Sequence, residues 1–185
     1  MPADHRDRTV LERFFLPLTR RTCAELGIGD DTIAGHLAAV LAEFARADRL
    51  YRLGTPGGER LTTLVEMLGF GPDTAGPEGE RRFQRYLGDF ALFMSGLFRP
   101  FIERGGFLGL YLGEGSRAYA RVATLSEGRA RGERLLFGEL SLRFEHYAGA
   151  LDYLRKVRFP GLADPDPIRA FLHEIRGVLA GSSRN

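Results

Sequence analysis

The segment from Tyr86 to Phe98 (YLGDFALFMSGLF) limits the fold more than any other part of the chain. It is apolar on nearly every side, interrupted only by Gly88, Asp89, Ser95 and Gly96. As part of a helix over 80–98, ended or kinked by Pro100, it has no face to offer water. Such a helix has to be central, buried by its neighbours. Gly88 and Gly96 fall two turns apart on nearly the same face, where another backbone can approach closely.

The rest of the chain supplies those neighbours. Leu11, Phe14, Phe15 and Leu18 share one face of a predicted helix over 9–26, with Pro17 as a possible kink and Gly27 and Gly29 as stops. Asp30 and Asp31 signal the next helix start, and Ile33, Leu37, Val40, Leu41 and Phe44 follow at helical spacing up to residue 48. Gly54 to Gly58 is a break, and Leu61, Leu64, Val65 and Leu68 mark a short helix. Residues 71–79 read as a loop. A glycine-rich stretch (Gly105, Gly106, Gly109, Gly113, Gly115) precedes a helix over 118–125. The pattern Leu136, Phe137, Leu140, Phe144, Tyr147, Leu151, Leu154 predicts one long helix over 133–157. A closing helix over 167–179 is capped by Asp166.

No stretch alternates with period two. The one strand candidate, Phe107 to Leu112, lacks a partner strand. The expectation is therefore an all-α, compact bundle of six or seven helices in a single domain over 1–185, with loose ends at 1–8 and 181–185.

Composition narrows the function classes. With 26 basic and 24 acidic residues the net charge is +2, which gives no nucleic-acid footprint. The basic clusters Arg155-Lys156-x-Arg158 and Arg129, Arg131, Arg134 read as a helix C-terminus and a solvated, salt-bridged face. The single cysteine, Cys23, rules out an intrachain disulfide and fits a reducing compartment. The charged N-terminus does not resemble a signal peptide, and no apolar run is long enough to span a bilayer. A cytoplasmic protein with no membrane partner is expected.

Catalytic and metal signatures are missing. None of His5, His36, His146 and His173 sits in a Glu-x-x-His, His-Glu-x-x-His or comparable ligand motif, so each reads as a surface or satisfied core residue, with no metal and no cofactor implied. Cys23 reads as a small buried apolar group. Ser116 suits a helix cap better than a nucleophile. Gly113-Glu114-Gly115-Ser116-Arg117-Ala118 matches a dinucleotide loop in letters only, because the βαβ unit that the loop requires is missing.

What remains is a polar set inside apolar helices. Asp89 must find a partner if buried, and Arg117 or Arg121 is the nearest candidate. Such a pair would fix helix register. Alternatively it would be the polar patch of a ligand pocket lined by Tyr86, Asp89, Phe90, Phe93, Tyr111, Arg117 and Tyr119.

Two elements, Leu87-Gly88-Asp89-x-x-Leu92-Phe93-x-Ser95-Gly96-Leu97-Phe98 and Tyr111-x-x-x-Gly115-x-x-Ala118-Tyr119, together with Leu41 to Tyr51 and Ala150 to Leu154, resemble a group of uncharacterised bacterial all-helical proteins of about this length. The resemblance spans about residues 35–158 and includes a proline soon after Gly-Leu-Phe, here Pro100. It implies that the second element is helical, with Gly113 and Gly115 as packing glycines. It brings no activity and no catalytic residue.

The functional expectation is a noncatalytic interaction or adaptor module that associates with itself or with another protein. It rests on a rich aromatic inventory (14 Phe, 6 Tyr) without a catalytic constellation. The alternative is a small-molecule-binding protein or sensor with a pocket near Asp89 and Arg117.

Overall fold

A computed structural model describes residues 2–46, 63–71, 76–126, 131–163 and 167–182. The predicted break at Gly54 to Gly58, the Asp166 cap, Arg129 and the last three residues lie outside them. Within them the chain forms helices α1 (Pro2–Glu25), α2 (Asp31–Phe44), α3 (Leu64–Phe70), α4 (Pro77–Leu97), α5 (Arg99–Arg104), α6 (Leu108–Leu125), α7 (Arg131–Leu142), α8 (Phe144–Arg158) and α9 (Pro167–Ser182), with a 3₁₀ turn at Pro160–Ala163. No strand occurs among the described residues, and the fold is an all-α bundle.

The all-apolar segment is the centre. α4 packs against α2, α3, α5, α6 and α8. Every residue from Tyr86 to Phe98 except Asp89 is buried. Gly96 lets α8 close in, since a Cβ there would lie 2.5 Å from the Leu151 Cβ and 3.3 Å from the Ala148 carbonyl oxygen. α4 ends at Phe98 because Pro100 has no N–H to give the Gly96 carbonyl. Phe171 of α9 then seals one end of the core, its ring centroid 5.8 to 6.4 Å from those of Phe15, Phe93, Phe98 and Phe159.

Local signals set the other boundaries. α1 stops at Gly27, whose φ of 70° lets the Ile28 N–H reach the Cys23 carbonyl at 2.8 Å. The Asp30 carboxylate accepts from the Thr32 N–H at 2.8 Å and starts α2. α1 begins at Pro2 rather than near residue 9 and passes through Pro17 without dividing. The glycines after 105 do not form a loop. α6 begins at Leu108, so the strand candidate at 107–112 is helical and Ser116 lies inside a helix, not at its cap.

The long helix expected over 133–157 is two. Arg143 leaves helical geometry (φ −120°, ψ 31°), and α7 and α8 meet there. The cause lies on α6. The Ser116 hydroxyl donates to the Ser141 carbonyl at 2.9 Å, taking an acceptor at the end of α7. Phe144 then packs its ring over Gly115, where a Cβ would collide with it.

Candidate functional site

Asp89 is the one residue of the central segment that is not buried, and its surroundings are polar and built from three helices. Tyr119 of α6 donates its hydroxyl to Asp89 Oδ1 at 2.7 Å. His36 of α2 places Nε2 3.1 Å from the same oxygen and 3.0 Å from the Tyr119 oxygen. The tyrosine proton is committed to the carboxylate, so the network assigns the histidine N–H to Nε2, where it donates to the Tyr119 oxygen beside Asp89 Oδ1. Burial first, and the neighbouring Asp89 charge second, hold the Tyr119 phenol well above its ordinary pKa, so it stays a neutral donor.

Packing fixes this junction. The Tyr119 ring fills the space left by Gly88, where a Cβ would lie 2.5 Å from two ring carbons. His36 stands edge-on to Tyr119 and to Phe137 of α7, with centroids 5.7 and 5.5 Å apart. Four helices therefore converge on one carboxylate. The far oxygen, Oδ2, points toward Arg85, whose Nε is 3.7 Å away. The Arg85 guanidinium sits over the Phe137 ring, 5.4 Å from its centroid.

The residues singled out from the sequence fall into three groups. Asp89 and Tyr119 are joined directly. Tyr86, Phe90 and Phe93 are core: Tyr86 and Phe90 stack on each other, and all three lie against Phe44. Tyr111 is buried too, its hydroxyl 3.5 Å from the Leu64 N–H, with burial raising its pKa. Arg117 is elsewhere. It is 73% exposed and pairs with Glu114 at 3.0 Å, while Arg121 pairs with Glu80 at 2.6 Å. The expected Asp89–arginine pair from α6 is thus corrected to Tyr119, His36 and Arg85. The reason is rotational. Residues two apart on a helix point about 200° apart, so when Tyr119 faces inward, Arg117 and Arg121 face out.

Asp152, a buried carboxylate on α8, is satisfied locally. Asp152 accepts from Arg155 at 2.8 Å and pairs with Lys156 at 2.6 Å on the same helix. Burial works against its charge, but these bonds outweigh it and hold its pKa below the ordinary 3.8. Arg155 is buried, so this end of α8 is only partly the solvated face expected. Cys23 is buried as expected, and burial raises its thiol to about 11, far from a reactive thiolate. Among the described residues no cluster of three or more His, Cys, Asp or Glu is placed to hold a metal ion, and no helix is long and apolar enough to cross a membrane.

α7 carries the other unusual feature. Its inner face buries Phe137 and Leu140. Its outer face leaves Leu135 55% and Leu142 85% exposed. The two leucines are seven residues apart, hence on one side of the helix, with Gly138 between them and open space where its side chain would be. The chain matches no family model, no curated protein and no solved structure.

Proposed function

We propose that this protein is a noncatalytic helical interaction module that self-associates through the outer face of α7. The observation that carries the reading is the pair of exposed leucines, Leu135 and Leu142, with half-buried Gly138 between them and open space where its side chain would be. This face suits a second copy of itself. In an antiparallel two-fold pairing centred between residues 138 and 139, each Leu135 meets the other copy's Leu142, and Gly138 leaves room at the axis. Burying those leucines removes apolar surface from water at about 25 cal/mol per Å². The resemblance to bacterial proteins and the lone buried thiol support a bacterial cytoplasmic setting as part of the same proposal.

Sedimentation velocity over a wide concentration range tests it. A dimer or larger species that grows with concentration is the expected result. A monomer at every concentration overturns the reading.

A further inference from the structure

The two oxygens of Asp89 are treated differently by the fold. Oδ1 is held by the Tyr119 hydroxyl and His36 Nε2 at 2.7 and 3.1 Å. Oδ2 has no hydrogen bond among the described residues, only the Arg85 nitrogen at 3.7 Å, beyond the range of a charge-assisted bond. The Asp89 side chain keeps 17% of its surface accessible, and Arg85 is 46% exposed. Arg85 nonetheless hovers over an aromatic face, the Phe137 ring.

A carboxylate oxygen beside an aromatic face is a cation receptor: charge on one side and ring quadrupole on the other. Here the receptor is rigid, because Tyr119 and His36 fix the carboxylate and the core fixes Phe137. Its present occupant is held loosely and belongs to the same chain.

We propose that Asp89 Oδ2 and the Phe137 ring form a binding site for a small organic cation of the alkylguanidinium class, with Arg85 as a displaceable intramolecular occupant. The incoming cation hydrogen-bonds Oδ2 and stacks on Phe137 while the Arg85 side chain swings into water. A tethered competitor lowers the apparent affinity of a free one. Removing it therefore strengthens binding, the opposite of what loss of a supporting residue does.

The test is a titration of the purified chain with methylguanidinium chloride at millimolar concentrations, against sodium chloride at equal ionic strength. The readout is the set of His36 imidazole NMR signals. The expected result is a saturable shift in Arg85→Ala, at least about tenfold tighter than in the parent chain because the competing state is gone. The shift is lost when Asp89→Asn is added to Arg85→Ala. If that double variant does not fold by circular dichroism, Phe137→Leu in the Arg85→Ala background serves instead, keeping an apolar side chain and removing the ring. A folded Arg85→Ala chain with no saturable shift overturns the proposal. So does a shift that survives loss of the carboxylate or of the ring.

Discussion

The two faces of α7 both carry large apolar side chains, but they meet different surroundings. Inward, Phe137 and Leu140 pack into the core, and Phe137 lies against His36, at the edge of a hydrogen-bonded cluster of polar groups. Outward, Leu135 and Leu142 stand in water without apolar cover. Polar groups inside and apolar groups outside both cost free energy, but differently. The interior groups are satisfied by one another: Asp89, Tyr119 and His36 leave no donor or acceptor wasted on Oδ1. The outer leucines remain largely exposed, Leu142 most of all. The comparison teaches that the inner face is part of the packed core, whereas the outer leucines are largely left out of it.

Substitutions break or sharpen this contrast. Phe137→Ala empties a fully packed site, and a loss of about 3–5 kcal/mol is expected in urea unfolding. Gly88→Ala forces a methyl into the Tyr119 ring, and about 1–3 kcal/mol is expected from overpacking, read as a lower melting temperature. Tyr119→Phe keeps the ring but removes the donor to Asp89 Oδ1, for an expected loss of about 1–2 kcal/mol by the same unfolding measurement. Leu142→Ser, on the other face, is expected to change monomer stability by less than about 0.5 kcal/mol. A stability loss for Leu142→Ser comparable to that for Phe137→Ala would erase the distinction between the faces.

Asp152 and Asp89 show why the sequence discloses one half of such a molecule better than the other. The partners of Asp152 are three and four residues away on one helix, a spacing visible in the letters. Asp89 takes partners from α2 and α6, and Tyr119 is 30 residues on. Nothing local distinguishes His36 from the other histidines, and its role as a satisfied core residue emerges only when α2 meets α6. The central helix was legible because its own composition demanded burial on all sides. The Asp30 start and the Gly27 stop were legible because caps act within a few residues. The division at Arg143 was not, because its cause is Ser116 and Gly115 on another helix. Arg117 was misplaced for want of a phase. Once Tyr119 is known to point inward, helical geometry sends Arg117 to the surface.

The outer face of α7 is tested most directly by sedimentation velocity on Leu142→Glu beside the parent chain, with melting curves of both. Leu142 is 85% exposed, so the charge stays in water in the monomer, but in the proposed association it would oppose Leu135 of the second copy. The expected result is an associating parent, a monomeric variant and unchanged melting of the monomer. A variant that associates as strongly as its parent would contradict the assignment of that face.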